Sequence, residues 1–128
     1  MMGKELAGYY IGENIHFELA RKKLTKLDDS GRPLNSFTFR DTMLRLFLYL
    51  LENANGNIVT NEQILFDVWD SYGLRSSSQR LWQVMQSLKF RLVMLGGPHD
   101  LILRIETFDS KGYTLKKGIV RPLYFVGT

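Results

Sequence analysis

The chain has 128 residues and carries 17 Lys and Arg against 13 Asp and Glu, a net charge of +4. It contains no cysteine, which excludes a disulfide framework and thiolate metal sites, and its apolar runs are shorter than the roughly 18–20 residues of a membrane span. The length predicts one domain over residues 1–128, with a core over about residues 10–117 and an apolar tail, interpretable as a linker, over 118–128.

The first third of the chain has the pattern of short antiparallel strands. Ile15 and Phe17 alternate with polar residues, which indicates a half-buried strand. A cluster of turn-forming residues over 28–33 separates two further apolar stretches. Three or four strands are therefore predicted between residues 9 and 39, and a sheet this small needs helices over one face.

Two helices are predicted next. The second begins at Thr60, whose side chain can cap the helix while Gln63 reaches back, a capping box. The first extends from about residue 40 to residue 53, and its core stripe at helical spacing is Leu44, Phe47, Leu48 and Leu51. Leu46, Tyr49 and Leu50 widen this stripe, which predicts a helix covered on two sides. The buried face predicted for the second helix is Ile64, Leu65, Val68 and Trp69.

The stretch from Arg75 to Gly97 carries four cations and no anion, so all of the excess charge of the chain lies there. It also predicts a helix over about residues 77–95, with Ser76 as N-cap and Gly96 as the residue that ends it. The apolar stripe of this helix recurs at steps of four and three and consists of Leu81, Met85, Leu88, Leu92 and Leu95.

The opposite face of this third helix is polar, and Arg80 and Arg91 lie at its edges. Amides at the centre of a helix face with cations beside them suit the reading of base edges between two rows of phosphates. The alternative is an ordinary solvated helix face. The polar residues of the face are Gln79, Gln83, Gln86 and Ser87.

Period-two alternation returns over residues 101–105, and a turn over residues 108–112, from Phe108 to Gly112, precedes another apolar strand. This pattern predicts a β-hairpin with a basic tip over about residues 101–116. The sequence lacks a phosphate-binding glycine loop, a metal-binding histidine pair and a nucleophile motif. His99 beside Asp100 fits a surface contact better than catalysis. We therefore predict no enzymatic activity, no metal and no cofactor.

Three stretches resemble the OmpR/PhoB-type winged helix-turn-helix domain. Residues 56–65, followed by Val68-Trp69, are similar to that family's signature G-x-V-V/I-S/T-x-x-x-L-L…V-W. Residues 87–92 are similar to its recognition-helix pattern x-L-R-x-x-L, and Thr107 followed by residues 111–113 resembles its wing pattern T-V-x-x-x-G-Y. Within the family, the chain is most similar to the ToxR/CadC-like regulators, which lack a receiver domain.

The resemblance implies an α+β fold with an N-terminal antiparallel β-sheet, three helices and a C-terminal β-hairpin wing. It implies a bacterial transcriptional regulator, like the output domain of a two-component system. The third helix would enter the major groove of double-stranded DNA, and the wing would approach the minor groove. A homodimer or another regulator would be a further partner. The location would be cytoplasmic, with any membrane anchor in a segment outside this chain.

The DNA-binding residues predicted from the pattern and the resemblance together are Arg75, Gln79, Arg80, Gln83, Gln86, Ser87, Lys89, Arg91, Thr107 and Lys111. The chain departs from the family pattern at Gln86 and Ser87, where many members have arginine, and at Asp109 in the wing. A second hypothesis is a winged helix used for contact with another protein, through Trp82, Phe90 and the apolar tail. Salt-dependent binding to duplex DNA separates the two hypotheses.

Overall fold

The computed structural model describes residues 4–126. Its N-terminal part is an antiparallel meander, which confirms the predicted strands and is covered by helices on one face, as its size requires. The alternation along the second strand buries Ile15 and Phe17 and leaves the residues between them half-buried. The strands of the meander are β1 (Lys4–Ile11), β2 (Ile15–Glu18), β3 (Lys23–Leu27) and β4 (Pro33–Thr38).

Helix α1 (Asp41–Asn53) packs on this sheet through a cluster of aromatic rings. The ring centroid of Phe47 lies 5.2 Å from that of Phe17 and 5.3 Å from that of Phe39. All three rings are buried, and aromatic pairs at this spacing add to the stabilisation that their buried area provides.

The orientation of α1 differs from the predicted one. Leu44 and Leu48, which were predicted for the core stripe, are only partly buried. The prediction was wrong at these positions because residues 43–51 are apolar apart from Arg45, so spacing alone does not select a face. The buried residues of α1 are Leu46, Phe47, Leu50 and Leu51.

The second helical segment begins with the predicted capping box. Thr60 Oγ1 accepts a hydrogen bond from the backbone N–H of Gln63 at 3.1 Å, and Gln63 Oε1 accepts one from the N–H of Thr60 at 2.9 Å. Ile64, Val68 and Trp69 are buried, and Leu65 is partly buried. The segment follows β5 (Val59–Thr60) and consists of α2 (Asn61–Ile64), a π-helical turn (Leu65–Trp69) and a 3₁₀ turn (Asp70–Tyr72).

Helix α3 (Ser78–Met94) is capped by Ser77, whose Oγ accepts from the backbone N–H of Arg80 at 3.0 Å. The prediction of Ser76 as the cap was wrong by one residue, because consecutive serines offer the same side chain at each position. The predicted stripe is confirmed, since all five of its residues are buried. Within residues 4–126, no helix is both long and apolar enough to cross a membrane.

The C-terminus of α3 is closed by a Schellman motif. Gly96 has a φ of +81°, a left-handed conformation that glycine adopts without a steric penalty. The N–H of Gly96 bonds to the carbonyl of Val93 at 2.8 Å, and the N–H of Gly97 bonds to the carbonyl of Leu92 at 2.9 Å. These bonds satisfy two carbonyl groups that the helix end would otherwise leave unpaired.

The predicted C-terminal hairpin is confirmed as β6 (Ile102–Glu106) and β7 (Lys111–Leu115), joined by residues 107–110. β7 also pairs with β5, so the strand order is β5-β7-β6. At the base of the hairpin, Thr114 Oγ1 donates to the carbonyls of Ala54 and Asn57 at 3.1 and 2.7 Å. These bonds tie the hairpin to the end of α1.

The apolar tail forms β8 (Val120–Val126), the fifth strand of the N-terminal sheet. It pairs antiparallel with β1, from Val120 opposite Ile11 to Val126 opposite Lys4, and the strand order is β4-β3-β2-β1-β8. The interpretation of the tail as a linker is therefore wrong for residues 120–126. This pairing joins the two ends of the described chain. Because β1 is so distant from β8 in the sequence, no local pattern predicts that the two strands pair.

Candidate nucleic-acid interface

The polar face of α3 is uncovered along the helix. Gln79, Gln83, Gln86 and Ser87 are all exposed, whereas the apolar stripe on the opposite side is fully packed into the core. The buried stripe fixes the rotation of the helix about its axis. The amides are therefore held toward solvent by the packing of α3, and they can donate and accept hydrogen bonds with a partner that approaches this face.

Two of the predicted cations are exposed at the N-terminal end of this face. Arg75 lies in the connection before α3, and Arg80 lies in its first turns. Neither guanidinium has a carboxylate partner within 4.0 Å among residues 4–126. Their charge is therefore available to an anionic partner.

Two other predicted cations lie over aromatic rings. Lys89 Nζ is 5.7 Å from the ring centroid of Tyr113 in β7, and Arg91 Cζ is 4.5 Å from that of Phe37 in β4. Burial lowers the pKa of Lys89, and repulsion from Arg104 lowers it further. These cation–π contacts connect α3 to both sheets and hold its C-terminal half, a role that helical spacing did not predict.

The tip of the hairpin differs from the predicted basic tip. Lys111 is the first residue of β7, opposite Glu106, and its Nζ lies 3.6 Å from the Glu106 carboxylate. Residues 107–110 contain Asp109 and no cation. The backbone N–H of Thr107 bonds to the carbonyl of Ser110 at 2.8 Å and closes the turn. The position of Lys111 was not predictable from local patterns, because strand register decides whether a residue lies in the turn or beside it.

The tip presents an aromatic residue that the sequence analysis did not select. The Phe108 side chain is fully exposed, and none of residues 4–126 covers it. A signal was available in the sequence, since turns favour Gly, Pro, Asn, Asp and Ser, and phenylalanine is unusual among them. Phe108 is therefore a candidate contact residue of the hairpin.

The hairpin and the N-terminal half of α3 share one surface. A cleft of about 510 Å³ lies between Asn61, Ser78, the tip residue Phe108 and Lys111 of β7. An adjacent cleft of about 320 Å³ is lined by Gln79 and Trp82 on α3 and by Arg104 and Lys111 on the hairpin. The start of α3, Gln79 and the hairpin tip thus line one side of the protein, whereas Gln86 and Ser87 line a separate cleft with Phe37 and Met43.

The order of a β-sheet, three helices and a C-terminal hairpin defines a winged helix, with α3 as the third helix and residues 102–115 as the wing. The fold is similar to that of the solved DNA-binding domain of CadC from E. coli, with a TM-score of 0.63. The alignment covers 94% of this chain and 100% of that domain at 14% identity, which supports the fold alone. No protein-family profile and no curated protein sequence matches the chain.

Proposed function

We propose that this chain binds double-stranded DNA in a sequence-specific manner, as the DNA-binding domain of a transcriptional regulator. The observation that carries the proposal is the uncovered amide face of α3 beside two unpaired arginines. In this arrangement α3 enters the major groove, and the wing lies against the adjacent minor groove. The solved domain that shares this fold is a DNA-binding domain, and the proposal extends that role to this chain.

The residues have distinct roles in this proposal. Arg75 and Arg80 bind phosphates and set the position of α3 on the duplex. Lys89 and Arg91 add positive charge to the far end of the helix from their places over aromatic rings. The residues that read base edges are Gln79, Gln83, Gln86 and Ser87. Thr107 and Lys111 lie in the wing, where Thr107 shapes the turn and Lys111 shares its charge with Glu106.

The wider assignment follows the sequence resemblance. We infer a bacterial regulator of the ToxR type within the OmpR/PhoB class, acting in the cytoplasm without catalysis and as a homodimer or with another regulator. The rival hypothesis of protein contact draws on Trp82 and Phe90, which are both exposed. Its third element, the tail, is β8, paired with β1 at the edge of the N-terminal sheet.

Binding to duplex DNA is expected to weaken with salt. If Arg75, Arg80, Lys89 and Arg91 all neutralise phosphates, log affinity falls against log salt with a slope of about −3 to −4, and of about −2 if only the two unpaired arginines do so. Arg80→Gln should reduce the magnitude of the slope by about 1. Fluorescence anisotropy over a range of salt concentrations measures this slope.

Arg32→Gln is the matched control for this titration. It removes the same charge from an exposed position in the turn between β3 and β4, and it should leave the slope unchanged. A slope near zero for every duplex tested would favour protein contact over DNA binding. Equal effects of the two substitutions would show that overall charge, rather than the face of α3, governs the affinity.

Gln83→Ala is expected to relax sequence discrimination at one base pair by roughly 1–3 kcal/mol and to preserve the salt slope. A glutamine amide pairs with adenine N7 and N6, whereas guanine offers two acceptors there. The preferred site should therefore be A·T-rich where α3 docks. Site selection from a random duplex library, with the wild type and the variant, measures both effects.

Met94→Ala is the control for the selection, because Met94 is exposed about three turns further along α3. It should leave the selected sequence unchanged. A G·C-rich consensus, or a consensus that Gln83→Ala does not alter, would remove Gln83 from the base-reading surface.

A further inference from the structure

The wing presents an aromatic tip that carries Asp109 and no cation to whatever partner α3 binds. Over residues 104–111, two cations and two anions balance, and Glu106 lies within 4.0 Å of both Arg104 and Lys111. Asp109 accepts a hydrogen bond from Thr107 Oγ1 at 3.3 Å. Attraction to phosphates is therefore weak at this tip, and Phe108 is the side chain that projects from it.

The Phe108 ring has no structural role in the folded chain. It is fully exposed, and the turn that carries it is closed by backbone and hydroxyl contacts of Thr107 with Ser110. These contacts hold the backbone of the turn that carries the ring, so binding has little backbone left to order. Transfer of an exposed apolar ring from water to an apolar environment also lowers the free energy of the system.

We infer that Phe108 inserts between two base pairs from the minor groove and bends the DNA. This inference rests on the proposed function. The tip shares a cleft with Ser78 at the start of α3, so the ring lies on the surface assigned to the duplex. Phenylalanine is one of the apolar side chains that wedge between base steps in this groove, and such wedges kink the duplex by about 20–90°.

Insertion selects for steps that unstack readily. Pyrimidine–purine steps are the most flexible, and they should recur at the position beneath the wing. A mismatched pair at that position has already lost part of its stacking. It should therefore bind the wild type more tightly, whereas mismatches elsewhere under the wing should bring no gain. This specificity comes from deformation of the DNA and needs no hydrogen bond from the wing.

The test compares the whole chain with Phe108→Ala and Phe108→Leu on the selected site. End-to-end energy transfer across the labelled duplex reports the bend, and a mismatch moved step by step under the wing reports insertion. The wild type should bend the site and gain about fivefold in affinity at one mismatch position. Phe108→Ala should lose the bend and the gain at an unchanged salt slope and melting temperature, and Phe108→Leu should retain part of both.

Phe125→Ala is the control, because Phe125 is also exposed but lies in the N-terminal sheet. It should behave as the wild type. If Phe108→Ala bends the DNA as the wild type does, the insertion is wrong while DNA binding stands. If Phe108→Ala alters only the self-association of the free protein, the ring contacts another copy instead. If no duplex binds in a salt-dependent manner, the proposed function itself fails.

Discussion

Replacing Trp69 by alanine is expected to lower the free energy of unfolding by about 3–5 kcal/mol. Trp69 is 1% exposed and is among the largest fully buried side chains described in the chain. It lies on the inner side of the π-helical turn that leads toward α3. Truncation would leave a cavity at this junction, and the surrounding helices can close it only in part. Chemical denaturation followed by circular dichroism measures the loss.

Two further variants make this prediction specific. Trp82→Ala should cost less than about 1 kcal/mol, because Trp82 is 54% exposed and lies off the apolar stripe. Trp69→Phe should lower the free energy of unfolding by less than Trp69→Ala does. Trp69 Nε1 has no hydrogen-bond partner among residues 4–126, so replacing the indole by a phenyl ring breaks no hydrogen bond. Similar losses from Trp69→Ala and Trp82→Ala would mean that the rotation of α3 is wrong.

Gly112→Ala is expected to lower the free energy of unfolding by about 3 kcal/mol, at the upper end of overpacking effects. An added Cβ would overlap the carbonyl oxygen of Val59 and approach Thr60 Cα to 3.0 Å. Because these are backbone atoms of β5, no rotamer change relieves the contact, and β7 must move away. The wing then shifts relative to α3, and DNA affinity should fall with stability. Unfolding and duplex titration measure the two losses.

Lys111→Ala is the control for Gly112→Ala, because it changes the neighbouring residue of the same strand without adding volume. The Lys111 side chain is exposed and contacts Glu106, so stability should change by less than about 1 kcal/mol. If Gly112→Ala matched this control in stability, β7 would not lie as close to β5 as the structure has it.

Local patterns in the sequence predicted the elements of the fold that depend on neighbours in the chain. The stripe of α3 recurs at steps of four and three, and the capping box of Thr60 and Gln63 is complete within four positions. Local patterns did not predict the features that depend on residues distant in the sequence. The apolar sequence of α1 fits several rotations about its axis, and β8 is a strand because β1 offers an open edge.

The same distinction between local and distant determinants applies to the residues of the candidate site. The exposure of Gln83 and its neighbours follows from the stripe opposite them, so the sequence was sufficient. The surroundings of the cations were not predictable, because Tyr113 and Phe37 reach Lys89 and Arg91 only after the two sheets have packed on α3. The sequence placed Phe108 in the predicted turn, but it was not selected as a contact residue, because only the structure shows how completely its ring is exposed.

The pairing of β8 with β1 also determines how the protein responds to tension. Lys4 and Val126 face each other at one corner of the sheet. A force that pulls these two residues apart acts on an antiparallel pair at its end, so it peels the strands rung by rung instead of shearing them together. After Val120 is freed, the load passes through Gly118 to β7, the central strand of the wing sheet. A mechanical load would thus detach β8 from β1 before the load acts on the wing.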